Sequence, residues 1–434
     1  MLVPSRALHD HSHALLAALL LLFIASSCYL VSTAGIPQIF RRLTPLHIPV
    51  TAPDIADGNR RHLTTSECQT RYPDLYQEAE RAKSWYSAKG GITEEMVDEA
   101  EKDNGNARLV ILDNILYIKA FTGGINSRTQ AVIANVYAAL LTSPEPMPDI
   151  DFVVQTGDAG GGQWPHFVLD RKAEQEALWL MPDFGFFSWP EPGVGSYVDV
   201  RRQTMDYEAG LGLAFNASDP SSVTTSSWEK KTPKLFWRGS PMVEVRQDLL
   251  RASESQPWSD VQELNWGAVN QDDAGRTANN GDIKSPAEHC QYAFLAHVEG
   301  WAYSGRLKYL QQCRSVIVMH PLVYIQHFHH LLNGVDGHPD QNVVEVPLPF
   351  TDNLGFVMDS LLSADSTEKV QRILDNSWNM LRQGYISPAA NDCYFRHVLR
   401  AYASVQQFQP SIADRGVSYE SFVLTGTTHW DPHR

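Results

Sequence analysis

The chain has 434 residues, 43% of them hydrophobic and 20% charged, which is more than one core can serve, since single cores stop growing near ~250–300 residues. Its 35 basic against 50 acidic residues leave a formal charge of -15 with no long basic run, which argues against nucleic acid as a partner. Any phosphate held here must be gripped by a few placed groups.

From the N-terminus, residues 1–13 read as a short cytoplasmic tail and 14–34 as a membrane segment, because Ala14–Val31 is an uncharged apolar run long enough to cross a bilayer as a helix. The run exceeds the ~7–15-residue core of a cleaved signal, so a retained type II anchor is expected, with the body in the lumen of the endoplasmic reticulum or Golgi. Cleavage after Ser32-Thr33-Ala34 would instead release a secreted protein. Residues 35–65 mix Pro, Arg and Thr without periodicity and read as a stem. Cys28 falls in the apolar run, while Cys68, Cys290, Cys313 and Cys393 stand too far apart for a CxxC site. In an oxidising lumen these four can form two disulfides, with every pairing open. Asn216-Ala217-Ser218 is an N-glycosylation triplet consistent with that compartment.

The body is expected to begin near Cys68, with charged helices over 69–104 and then Arg108–Phe121 as a hairpin turning at Asp113-Asn114. Apolar spacing predicts an amphipathic helix over 126–141, followed by a strand at Asp151–Gln155 that opens into Thr156-Gly157-Asp158-Ala159-Gly160-Gly161-Gly162. A strand that follows a crossover helix and ends in a glycine-rich loop is a βαβ-type signal. A Ser/Thr-rich break over 216–232 divides a first α/β domain, 66–220, from a second, 221–400, and residues 401–434 form a C-terminal helix and tail expected to pack back on the first. In the second domain Lys234–Trp237 reads as a strand leading to Arg238-Gly239-Ser240, and Pro241 opens a helix through Arg251. Tyr292–Val298 is the next strand, Ser304 caps a helix carrying Leu307, Leu310 and Cys313 on one face, and Ser315–Met319 follows as a strand. Val343–Leu348 and a helix from Asp352 add a further step. Such alternation predicts two α/β domains facing a cleft.

The stretch from Glu299 to Lys308 joins a buried strand to a helix, the position where ligands bind in open α/β sheets. Free amides at the helix start and Arg306 in its first turn would hold a diphosphate, and Arg238 at another strand end has the same reach. Taken singly, each arginine also fits a structural ion pair. Glu299 fits either a ribose hydroxyl or a helix cap. Asp158, among glycines, fits a turn-holding carboxylate or, within reach of an alcohol, a general base, with Asp151 as runner-up.

Trp237-Arg238-Gly239-Ser240 and the block from Cys290 to Leu310 resemble glycosyltransferase family 90, which holds fungal capsule-associated transferases and animal protein O-glucosyltransferases. Ala107–Leu112, Met181–Pro190 and Tyr324–Leu331 extend the likeness over roughly residues 70–405, the last two segments being closest to the fungal branch. The resemblance implies a GT-B-like fold of two Rossmann-like domains, with a UDP-sugar on the C-terminal one and the acceptor on the N-terminal one. It implies transfer of xylose or glucose, with inversion, to a hydroxyl of a glycan or protein. Residue by residue, it implies diphosphate contacts from Arg238 and Arg306, a nucleotide-sugar site completed by Gly239, Ser240, Glu299, Gly300, Ser304 and Gly305, and Asp158 as base. Family members near the animal enzymes carry Arg-Asp-Tyr-Pro where this chain has Gly157-Asp158-Ala159-Gly160. No tightly bound cofactor is implied, and a divalent metal requirement stays open. The contrasting reading is a non-catalytic glycan or UDP-sugar binder of the same fold.

Asp149-Ile150-Asp151 matches a two-carboxylate Mn²⁺ pattern but lies at a strand entrance. His327, His329 and His330 lack a carboxylate partner for a metal and read as a surface helix. Asp183 with Phe184, Phe186, Phe187 and Trp189 fits an acceptor platform or simple core packing.

Overall fold

The computed structural model describes residues 58–428, apart from 122–125, 190–193, 213–227, 229, 265–269, 272–276, 279–282 and 414. The apolar run at 14–34, most of the stem, the Asn216 triplet and most of the Ser/Thr-rich break lie outside the described residues. No helix among the described residues is long and apolar enough to cross a membrane.

Helices α1 (Thr65–Arg71), α2 (Gln77–Ser87) and α3 (Glu94–Lys102) precede the hairpin β1 (Ala107–Leu112) and β2 (Ile115–Phe121). A capping box sets the start of α1: the Thr64 side chain accepts from the Glu67 amide while the Glu67 carboxylate accepts from the Thr64 amide. Asp113 (φ 51°) and Asn114 (φ 64°) close the hairpin at the expected turn, since both tolerate the left-handed backbone a two-residue loop needs. Helix α4 (Ser127–Leu141), capped by Asn126, leads into β3 (Ile150–Val154), β4 (His166–Val168) and β5 (Trp179–Leu180). The tight β1–β2 turn forces antiparallel pairing, and β1 pairs antiparallel with β3 as well; only β3, β4 and β5 run parallel. The first sheet is therefore mixed, with a parallel part of three strands.

After α5 (Tyr197–Gly210) come β6 (Thr232–Gly239), α6 (Glu244–Ser253), β7 (Ser259–Glu263), β8 (Tyr292–His297), α7 (Leu307–Leu310), β9 (Val316–Met319), β10 (Val344–Glu345) and α8 (Phe350–Leu362). The second sheet is parallel throughout, in the order β10-β9-β8-β6-β7. All six residues of β8 are buried, as expected of a central parallel strand covered on both faces. Chain direction across the sheet reverses between β6 and β8, which makes the crevice outside their carboxyl ends the place for a ligand. Two helices differ from expectation. Pro241 lies in a loop, because α6 starts at Glu244 with Val243 at the cap. Helix α7 is a single turn with Arg306 at the cap position and no side-chain cap, so Ser304 does not cap it and there is no long dipole to recruit.

Helix α9 (Thr367–Asn376) runs through a π-helical segment, Ser377–Tyr385, to α10 (Pro388–Ala403), which Ser387 caps and Pro388 opens. Helix α10 packs on α2 and α4, and β11 (Val417–Ser418) then pairs with β2, ahead of α11 (Tyr419–Thr425). The return to the first sheet thus begins at Pro388, earlier than residue 401. Disulfides join Cys68 to Cys393 and Cys290 to Cys313. The folded body also begins before Cys68, since Leu63 is buried and Arg61 Nε lies 2.6 Å from Asp392 Oδ2.

Candidate active site

The loops leaving β6 and β8 meet the loop leaving β3 around a cavity of about 510 Å³. Asp158, Arg238, Gly239, Ser240, Gly300, Ser304, Gly305 and Arg306 all line it, so residues more than a hundred positions apart in the chain share one space. Two of the glycines are there for clearance. A Cβ on Gly300 would stand 3.1 Å from Arg246 Nη2, and one on Gly305 would stand 3.1 Å from the Trp189 indole.

The positive wall differs from the expected pair. Arg238 donates from Nη1 to the Trp237 and Asp260 carbonyls (3.0 and 2.6 Å) and from Nη2 to Asp260 Oδ1 (2.7 Å), so its charge is largely neutralised by Asp260. Arg306 has no carboxylate partner among the described residues, and its guanidinium rests 5.8 Å from the Trp237 ring. Burial, with the neighbouring Arg246 charge adding to it, pulls Arg306 down to about 10, which leaves it a cation at neutral pH. Arg246 also lines the cavity, anchored only on backbone: Nε to the Glu299 carbonyl (2.9 Å) and Nη1 to the Ser240 carbonyl (3.2 Å). Buried Arg246 and partly buried Arg306 thus bring two like charges to one cavity wall, with no carboxylate partner among the described residues, an arrangement suited to an anionic ligand. Next to them His289 is driven down to about 3, first by burial and then by Arg306, and is neutral.

Arg246 was missed in the sequence, although a basic residue on the inward face of α6, three positions before the buried Leu249, was a readable signal. Glu299 stands behind the wall and does not line it. Its carboxylate accepts from the Val323 and Tyr324 amides (3.1 and 2.8 Å), and burial pushes it up to about 7 against those two bonds. It fastens the 323–324 turn, and its carbonyl aims Arg246.

Asp158 faces the same cavity from the first sheet, half-exposed, with Oδ1 2.6 Å from Nη1 of Arg128 in the first turn of α4. The next residue, Ala159, has φ 53°, a left-handed conformation unusual for a side chain with a Cβ and of the kind that clusters at functional loops. Asp151, by contrast, is buried in a bidentate pair with Arg108 (2.7 and 2.8 Å), and Asp149 accepts the Asp113 amide (2.9 Å). Both carboxylates of the Asp-x-Asp pattern are thus spent on structure.

Asp183 is a joint between the two sheets: its carboxylate holds Lys308 Nζ (2.7 Å), Gln326 Nε2 (2.9 Å) and the Gly185 amide (2.7 Å). Phe184 and Trp189 reach the cavity, whereas Phe186 is core and Phe187 is exposed elsewhere. The histidines do not form a surface helix. His327 is buried against Tyr394 and Phe186 (4.7 and 5.2 Å between ring centres), and His329–Leu331 is one 3₁₀ turn whose His330 Nε2 meets the Asp74 carbonyl at 2.7 Å. Among the described residues no group of three or more His, Cys, Asp or Glu could hold a metal ion.

The sequence model described as Glycosyl transferase family 90 matches residues 65–427. The chain is 25% identical over 342 residues to an O-glucosyltransferase rumi homolog of Aedes aegypti, covering 74% of this chain and 76% of that one. It is 24% identical over 328 residues to Protein O-glucosyltransferase 2 of Danio rerio (74% and 60% covered) and 22% identical over 363 residues to Protein O-glucosyltransferase 3 of Homo sapiens (81% and 65%). This chain thus spans less than two thirds of the latter two proteins.

Proposed function

The chain belongs to glycosyl transferase family 90, and from that premise we propose that it moves glucose or xylose from a UDP-sugar to a hydroxyl of a glycan or glycoprotein acceptor, with inversion. The observation that carries this reading is one cavity with Asp158 on one side and, on the other, Arg246 and Arg306, neither with a carboxylate partner among the described residues. In a GT-B-like arrangement the donor lies at the carboxyl ends of β6 and β8 and the acceptor against the first sheet. The guanidiniums bind the pyrophosphate and offset the charge that grows on departing UDP. Asp158 takes the proton of the acceptor hydroxyl as its oxygen attacks the anomeric carbon. Residues 14–34 anchor the protein in the endoplasmic reticulum or Golgi membrane, and two disulfides suit a body on the oxidising, lumenal side.

The test is UDP release by the full chain with a panel of UDP-sugars and acceptors, together with the anomeric configuration of the product. Uptake of UDP-sugar without UDP release would make the protein a binder. A product that keeps the donor's configuration would remove the single-displacement role from Asp158.

A further inference from the structure

A second recess, of about 420 Å³, opens on the first-sheet side between α2, the Gly162–Trp164 end of the Asp158 loop and the turn before β5. Trp85, Tyr86, Trp164 and Met96 supply its apolar surface, and both indoles are only partly buried. Polar groups stand among them: exposed Gln163 and Glu174, and Lys89, whose Nζ lies 4.3 Å from the centre of the Trp85 ring. The chemistry proposed above uses none of these residues.

Much of the backbone in the turn before β5 is already hydrogen-bonded within the protein. Tyr86 Oη donates to the Ala177 carbonyl (3.0 Å), and the Arg81 guanidinium donates to the carbonyls of Glu176 and Leu178 (2.6 and 2.5 Å). The amides of Gln175 and Glu176 are spent on the carbonyls of Lys172 and Glu174 (both 3.1 Å). An extended chain adding to this edge would need those same groups. What the recess offers is the Trp164 ring, the Trp85 ring with the Lys89 ammonium over it, and the exposed Glu174 carboxylate and Gln163 amide. That set fits pyranose rings, whose C–H faces stack on indole while their hydroxyls bond at the border. Glu176 is ion-paired with Arg81 (3.1 Å), and the exposed Lys89 and Glu174 offset each other, so the rim carries no net charge to recruit an ion and fits a neutral saccharide.

We propose that this recess is a binding subsite for a neutral oligosaccharide and holds the distal part of an acceptor glycan. The saccharide site stands on the recess alone, and its acceptor role rests on the transfer reaction proposed above. Five residues lie between Asp158 and Trp164, so the recess is within about 20 Å of the reacting centre along the chain. A glycan of several units is long enough to span that distance.

The full chain is titrated with neutral hexasaccharides of glucose, mannose and xylose, following tryptophan fluorescence and heat of binding. At least one should bind saturably. Trp164→Ala should weaken that binding by about tenfold or more, which is ~1.4 kcal/mol at 25 °C. Glu174→Ala and Gln163→Ala, at exposed positions that leave the fold intact, should weaken it measurably, and Trp164→Phe should recover part of the loss. In transfer assays the same variants should raise KM for a hexasaccharide while leaving kcat, UDP affinity and KM for a monosaccharide acceptor unchanged. The proposal is overturned if no hexasaccharide binds, if binding is the same in all variants, or if an unstructured polypeptide is the ligand whose binding these variants lose. Loss of UDP binding or turnover in the unaltered chain would strike the proposed reaction and leave the saccharide site standing.

Discussion

Oδ1 of Asp158 is 2.6 Å from Nη1 of Arg128, tying the glycine-rich loop after β3 to the start of α4 at the edge of the cavity. The Arg128 guanidinium is itself seated 4.9 Å from the centre of the Phe184 ring. One carboxylate oxygen is therefore engaged in orientation, and the other has no hydrogen-bond partner among the described residues. Asp158→Asn should cut kcat by ~100-fold or more, the range for loss of a general base, while UDP affinity holds. Arg128→Ala should lower kcat by a smaller factor, again with UDP affinity unchanged. Single-turnover rates beside UDP calorimetry check both, and an Asp158→Asn enzyme with most of its rate would take the base role from that residue.

Arg306 and Arg246 repel each other at the cavity wall, and this splits stability from binding. Replacing Arg306 with Met removes a partly buried cation that has no carboxylate partner among the described residues and is repelled by Arg246, so the protein without UDP should melt no lower than the unaltered one. The same change should weaken UDP by about 10–100-fold, as charge-assisted bonds of ~1.5–3 kcal/mol are lost. Thermal melts with and without UDP read both effects. A variant that melts lower yet keeps its UDP shift would make Arg306 structural.

The two disulfides should separate in the same way. Cys290–Cys313 brackets the segment that holds Gly300 to Arg306, whereas Cys68–Cys393 ties α1 to α10, away from the cavity. Cys68→Ser with Cys393→Ser should reduce stability by about 2–5 kcal/mol, with UDP affinity intact in whatever fraction stays folded. Cys290→Ser with Cys313→Ser should weaken UDP as well. Equal UDP affinity in both double variants would contradict this division.

Asp170, buried just past β4, is pushed up to about 7 by burial, with Asp158 and Glu299 adding repulsion and the Ala159 amide opposing it. Its folded value exceeds its ordinary one, so between about pH 4 and 7 the native state holds a proton that the unfolded chain has released. The stability it contributes is complete below that window and is lost as pH rises through it. Asp170→Asn should therefore melt higher than the unaltered protein at pH 8 and gain little or nothing at pH 4. Parallel melts at the two values decide it, and a gain that does not grow with pH would exclude the titration of Asp170.

The features legible in the sequence are those set by neighbours in the chain. Asp113-Asn114 marks a turn because those residues accept left-handed backbone, the β8 apolar run marks a central strand, and Arg238-Gly239-Ser240 and Ser304-Gly305-Arg306 mark strand ends where a sheet leaves amides and side chains facing solvent. Arg246 escaped notice because its role depends on Glu299 and Ser240 carbonyls that come to it from two other loops. Glu299 was drawn toward the ligand because nothing local shows that the amides of residues 323 and 324 would claim its carboxylate.

Periodicity and short motifs, read within a few bonds along the chain, were enough to show the alternation of strands and helices, the family, and several residues of the cavity rim, Asp158, Arg238 and Arg306 among them. Long-range packing alone sets which arginines lack a carboxylate partner among the described residues, which carboxylates are consumed by Arg108 or by backbone amides, and that the chain turns back at Pro388 toward the first sheet. Those outcomes turn on distances of a few ångströms between segments far apart in sequence, and the electrostatic worth of a charged group depends on what that folding places beside it.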